Sequence, residues 1–125
     1  MKVLFVCVGN SCRSQMAEAI ARHHGLDAES AGTEPAPSVS GHALAVLDAH
    51  GIATDGLRPK ILDFARLKEF DRTITMGCGV AESCPSLRTD EDWGLDDPVG
   101  QPIEAFEATF AEIERRIVQL VQAND

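Results

Sequence analysis

Basic residues are in short supply in this sequence. The 11 lysines and arginines stand against 20 aspartates and glutamates, a formal net charge of -9 at pH 7, and they form no cluster. That balance excludes nucleic acid and anionic membrane surfaces as partners, and it requires any anionic substrate to be met by a local positive site. Long apolar runs are also missing. Met1 to Val8 is apolar, but Gly9, Asn10, Ser11 and Arg13 end it well short of a membrane span or a secretory leader. A cytoplasmic location without membrane contact is therefore expected. Cysteines number only 4, at Cys7, Cys12, Cys78 and Cys84. A cytosolic domain with its own core needs no disulfide framework, so catalytic, redox or metal roles come first. Repeats, linkers and low-complexity segments are absent. With 125 residues and 44% hydrophobic content, the chain is expected to form one domain, residues 1–125, with room for one site.

What is present alternates between strand and helix. Lys2 to Val8 is nearly unbroken in apolar, β-branched character, as in a strand buried on both faces of a parallel sheet. From Ser14 to His24, Met16, Ala17, Ile20 and Ala21 keep helical spacing and Gly25 stands at the stop position. A second strand is expected near Ala28 to Ala31, a helix near Ser40 to His50, a weaker helical pattern from Ile61 to Glu69, and a third strand over Arg72 to Met76. The stretch from Gly77 to Pro102 is rich in Gly, Pro, Ser and Asp, has room for a short strand near Arg88 to Trp93, and is long enough to be functional. Ile103, Phe106, Phe110, Ile113, Ile117, Leu120 and Val121 mark an amphipathic C-terminal helix that packs on the sheet. The fold class is α/β: a small four-stranded parallel sheet flanked by helices on both faces, with ligands at the C-terminal ends of its strands.

Chemistry concentrates in Cys7-Val8-Gly9-Asn10-Ser11-Cys12-Arg13-Ser14, between the first strand and the first helix. The backbone amides of Val8, Gly9, Asn10, Ser11, Cys12 and Arg13, together with the positive end of the helix dipole, suit a tetrahedral oxyanion. Arg13 can grip two of its oxygens. The same field should favour a Cys7 thiolate well below the ordinary thiol pKa of ~8.5, assisted by a Ser14 hydroxyl.

This loop resembles that of the low-molecular-weight phosphotyrosine phosphatase family, and more closely its thioredoxin-coupled arsenate reductase branch. The resemblance runs through Gly9-Asn10-Ser11-Cys12-Arg13-Ser14-Gln15-Met16-Ala17-Glu18, Ser30-Ala31-Gly32-Thr33 and Asp92-Trp93-Gly94-Leu95-Asp96-Asp97-Pro98, and covers nearly the whole chain. It implies the phosphatase-like fold. It also implies Cys7 as nucleophile and Asp97, with Asp96 as the alternative, as the general acid that protonates the departing oxygen. Arsenate is the implied substrate, with phosphate or sulfate as competing anions, in arsenic detoxification.

The loop alone does not separate a phosphatase from a reductase, because both begin with Cys7 displacing an oxygen. A reductase must add two electrons from thiols, and the resemblance assigns them to Cys78, which would form a disulfide with Cys7, and Cys84, which would take the disulfide over to Cys78. An external reductant, thioredoxin by resemblance, would then reset the enzyme, and no cofactor is bound. The spacing departs by one residue from the thioredoxin-coupled pattern, so glutaredoxin or a small thiol stays open. The chain has no tyrosine, Val99 follows Asp97-Pro98, and Gln15 stands where the phosphatases resemble one another in a proline, all of which weaken the phosphatase alternative. A second alternative is a non-catalytic, redox-sensing oxyanion-binding protein.

Six residues of helix span roughly 9 Å, whereas a disulfide needs Cα atoms within about 7 Å, so a helix joining Cys78 and Cys84 would have to unwind. Gly77, Gly79 and Pro85 make a moving segment the expectation. Cys12 is expected to point into the core. The cysteine spacing does not suit a zinc finger or ribbon. His23, His24, His42 and His50 read as surface or capping residues. Some arsenate reductases resemble one another in a potassium site that Asn10, Glu18 and Ser30 would match; Lys60 stands where those proteins carry Asp, so a lysine charge can replace the ion. The expected assembly is a monomer.

Overall fold

Strand β1 forms over Lys2–Cys7 and is buried from Val3 onward, the outcome for an apolar run whose sheet is covered on both faces. The computed structural model describes residues 1–77 and 89–123. Helix α1 (Arg13–His23) leads to β2 (Asp27–Gly32), and α2 (Gly41–Ala49) starts at Ser40, whose hydroxyl accepts from the Ala43 N–H at 3.4 Å. β3 (Arg72–Thr75) and β4 (Glu91–Asp92) follow, and α3 (Ile103–Ala123) closes the described chain. The four strands lie in the order β2-β1-β3-β4, all parallel, with Cys7 opposite Gly32 on one side and Val6 opposite Thr75 on the other. β1 thus occupies the switch point between strands that depart in opposite directions, where open α/β sheets hold their ligands.

Alternation along β1 divides the core. Val3, Phe5 and Cys7 join Met16 and Ile20 of α1, Leu47 of α2, and Phe106, Phe110, Ile113 and Ile117 of α3. Leu4 and Val6 face the other way onto Ala31 and Leu62, with Leu67 and Phe70 packed against them. Among the described residues the three α-helices therefore share one face, and the opposite face is covered by the segment around a 3-10 helix over Phe64–Glu69. The weak helical pattern from Ile61 resolves into this single short element because Asp63 caps it, accepting from Ala65 N at 3.0 Å, and Phe70 is already extended. Arg88 lies outside the described residues; from Thr89 onward the short strand expected near Arg88 to Trp93 is the edge pair Glu91–Asp92, since the Asp90 carboxylate accepts from Thr73 N (2.7 Å) just before it. No helix among the described residues is long and apolar enough to cross a membrane.

Candidate active site

The turn from β1 into α1 is shaped by its carbonyls. Those of Cys7, Val8, Gly9 and Ser11 accept hydrogen bonds from the N–H groups of Thr33, Glu34, Ala36 and Ser40 at 2.7–3.3 Å, and that of Asn10 accepts from Gln15 Nε2 at 2.9 Å. In a trans peptide plane the N–H points opposite the carbonyl, so successive amides of the loop turn inward. The Asn10 amide does so, donating to Cys7 Sγ at 3.1 Å. Asn10 reaches this position with φ of 48°, a left-handed conformation that asparagine tolerates better than most residues. Gly32 makes room for the loop: a Cβ there would lie 2.6 Å from the Val8 carbonyl oxygen and 2.9 Å from Asn10 Cβ.

Three side chains finish the surroundings of the sulfur. Ser14 Oγ lies 2.9 Å from Cys7 Sγ and accepts from Asn10 Nδ2 at 2.8 Å, so its own hydrogen is available to the sulfur. Arg13 is buried; its NH1 donates to the carbonyls of Leu95 (2.6 Å) and Met76 (3.3 Å), and its NH2 lies 3.7 Å from Asp97 Oδ2. The guanidinium is thereby held at the strand ends beside Cys7, with a carboxylate across from it. Asp97 is 56% exposed, and its Oδ1 accepts from Val99 N at 3.0 Å, which fixes the carboxylate while leaving it reachable. Asp96, the alternative acid, is exposed.

Cys12 is a buried free thiol whose pKa is pushed up to about 12, chiefly by burial and then by the Asp97 charge, with Arg13 opposing. Its sulfur stays protonated wherever the protein is folded at ordinary pH. The Cys12 side chain at the N-cap makes no capping hydrogen bond to the first turn of α1.

Behind the loop lies the buried carboxylate of Glu18. Its Oε1 accepts from Ser30 Oγ (2.8 Å) and Lys60 Nζ (3.2 Å), and its Oε2 pairs with Arg22 NH1 at 2.9 Å. The Lys60 backbone N–H donates to Asn10 Oδ1 at 2.8 Å. Glu18 and Ser30 meet directly and Asn10 reaches them only by way of Lys60, whose ammonium group already supplies the positive charge at that point. A potassium ion does not fit beside it. Among the described residues no three His, Cys, Asp or Glu side chains gather as metal ligands.

Cys78 and Cys84 lie outside the described residues, as does the segment in which movement is expected. The segment's starting point is defined: Met76 N donates to the Val6 carbonyl at 3.1 Å, and Gly77 continues from the same end of the sheet as Cys7. Gln15, Arg58 and the carbonyls of Met76 and Leu95 are parts of the site that no sequence pattern marks. Gln15 lies among other buried polar residues of α1, Ser14 and Glu18, so its polarity alone does not single it out.

Comparison with known proteins agrees with this geometry. A glutaredoxin arsenate reductase from a Synechocystis species is 35% identical over 127 residues, covering 96% of this chain and 95% of its own. An arsenate reductase from Staphylococcus aureus is 35% identical over 118 residues, covering 90% of this chain and 89% of its own. A solved arsenate reductase in its phosphate-binding state superposes with a TM-score of 0.85 at 33% identity, over 98% of this chain and 97% of that one. The family model for low molecular weight phosphotyrosine protein phosphatases matches residues 2–124, and the chain belongs to that family.

Proposed function

We propose that this chain is an arsenate reductase in which Cys7 is the nucleophile, Arg13 and the inward amides of residues 8–13 hold the oxyanion, Ser14 supports the thiolate, and Asp97 is the acid. The observation that carries this reading is the placement at one end of the sheet. The Cys7 sulfur sits in an anion loop at the end of β1, and β3 beside it runs directly through Gly77 into the segment bearing Cys78 and Cys84. A phosphatase needs no further thiol there. The relatives named arsenate reductase support the same choice.

The Cys7 thiolate attacks arsenic, an As–O bond breaks, and Asp97 supplies the proton with which the oxygen leaves as water. The Cys78 thiolate then attacks the Cys7 sulfur. The new S–S bond forms as the S–As electron pair passes to arsenic, so two thiols are oxidised and As(V) leaves as arsenite. Attack of Cys84 on Cys78 restores the Cys7 thiolate and leaves a Cys78–Cys84 disulfide for an external dithiol. Thioredoxin is our first choice for that reductant and glutaredoxin, in view of the Synechocystis relative's name, the second. No bound cofactor takes part, and Lys60 stands in place of a potassium ion beside Glu18. The reading places the enzyme in the cytoplasm as a monomer.

The test is arsenate-dependent NADPH oxidation with thioredoxin and its reductase, or with glutaredoxin, glutathione and glutathione reductase, beside p-nitrophenyl phosphate cleavage. Turnover lost in Cys78→Ser and Cys84→Ser while ester cleavage survives supports the relay. Ester cleavage without arsenate turnover under either reductant would make the chain a phosphatase instead.

A further inference from the structure

Gln15 is completely buried, yet nearly all of its polarity points one way. Its Nε2 donates to the Asn10 carbonyl (2.9 Å), to Asn10 Oδ1 (3.1 Å) and to the Arg58 carbonyl (2.7 Å). Its Oε1 has no hydrogen-bond partner among the described residues. A buried acceptor left unpaired is unfavourable, and an apolar side chain of the same size would remove that penalty. A glutamine retained under these conditions acts through its donors, and two of its three acceptors belong to Asn10.

Asn10 Oδ1 takes two donors, Gln15 Nε2 and the Lys60 N–H. The other end of that carboxamide, Nδ2, must then face Ser14 Oγ, which is where it donates at 2.8 Å. Ser14, having accepted, has its single hydrogen left for Cys7 Sγ at 2.9 Å. The chain of donors therefore has a direction, from Gln15 through Asn10 and Ser14 to the sulfur, and such chains polarise each successive bond. The second bond from Gln15, to the Asn10 carbonyl, holds the left-handed backbone that aims the Asn10 N–H at the same sulfur.

We propose that Gln15 is a positioning residue for Cys7, clamping Asn10 to the Arg58 segment so that both Asn10 donors, one directly and one through Ser14, terminate on the Cys7 sulfur. The proposal rests on Cys7 being the attacking thiolate and not on what it attacks.

Full-length reduced protein is alkylated with iodoacetamide across a range of pH, and modification of the Cys7 peptide is followed by mass spectrometry for wild type, Gln15→Met and Gln15→Ala. The expected midpoint rises by about one pH unit in both variants, which leaves about tenfold less thiolate below it. kcat/KM for p-nitrophenyl phosphate should fall by the same factor at low pH and recover once the pH exceeds the new midpoint, which general loosening of the fold would not produce. In an Asn10→Ala background, Gln15→Met should add nothing further. An unchanged midpoint in both variants, or a methionine effect that persists in full when Asn10 is alanine, overturns the proposal. Alkylation reads the thiol without arsenate, so a shifted midpoint in a protein that never reduces arsenate would refute the reductase reading and leave this inference standing.

Discussion

Arg13 donates to the Leu95 carbonyl across 2.6 Å, spanning 82 positions of sequence. Through this bond and its weaker companion to Met76, the residue proposed to grip the oxyanion also ties the end of β3 to the loop that carries Asp97. Arg13→Lys keeps the charge but loses the fork that serves carbonyls and substrate together. Its kcat/KM should fall by about 100-fold or more, on the scale of losing an oxyanion donor, and thermal unfolding should show a lower Tm. Steady-state assay and calorimetry on the same preparation measure both effects; a lysine variant with a normal Tm would disconnect the two tasks.

Gly32 is where β2 passes beneath the anion loop. Because a Cβ would meet the Val8 carbonyl at 2.6 Å, Gly32→Ala must push the loop away from its hydrogen bonds to residues 33–40. The expected cost is about 1–3 kcal/mol of stability, typical of overpacking. Phosphate affinity, measured by calorimetric titration, should weaken in parallel. Unaltered phosphate binding would show that the loop tolerates the displacement.

Alkaline stability should depend on Cys12. Folding pushes its pKa up from the ordinary thiol range to about 12, with burial as the leading cause. A raised thiol pKa means that the folded protein retains a proton the unfolded chain has released, so stability falls with pH. The contribution is complete below about pH 9 and is lost as the pH climbs toward 12. Urea midpoints collected between these limits should decline for wild type, with the Cys12 share of the slope missing in Cys12→Ala. Absence of tyrosine from the sequence leaves thiolate absorbance near 240 nm free of phenolate in the same range.

Lys60 supplies an ammonium to a carboxylate that is 1% exposed. Lys60→Met removes it while Arg22 remains on the other oxygen, so the loss should be about 1–3 kcal/mol. Potassium chloride should raise the Tm of the variant more than sodium chloride does, and leave wild type indifferent to the choice of cation. Equal responses of both proteins to the two salts would remove the idea that lysine occupies a cation's place.

Local patterns carried much of the architecture into the sequence. The β1 run, the turn at Gly9 and Asn10, and the helical spacing of Met16, Ala17 and Ile20 are decided by neighbours in the chain, and all three form as expected. Phe64–Glu69 was less legible because only one of its own residues, Leu67, packs on the core, with Leu62 and Phe70 flanking it, so no apolar repeat runs through the element. β4 is shortened by the carboxylate of Asp90 reaching a backbone 17 positions away, which no periodicity reports. In the site, a single contiguous motif exposed Cys7, Arg13 and Ser14, and a family resemblance was needed for Asp97, Glu18 and Lys60. Gln15 stayed hidden because its meaning depends on Arg58, which only the folded chain brings to it.

Gly77 has φ of 79°, and a Cβ on it would come within 2.5 Å of Gly94 Cα. Two stretches of main chain therefore touch without any side chain between them, one leading to the cysteine pair and the other to Asp97. For an engineer or a diverging lineage this makes position 77 a fixed anchor. The reach of the thiol proposed to act second can be lengthened or shortened only downstream of it, whereas a change at the anchor itself alters the Asp97 loop at the same time.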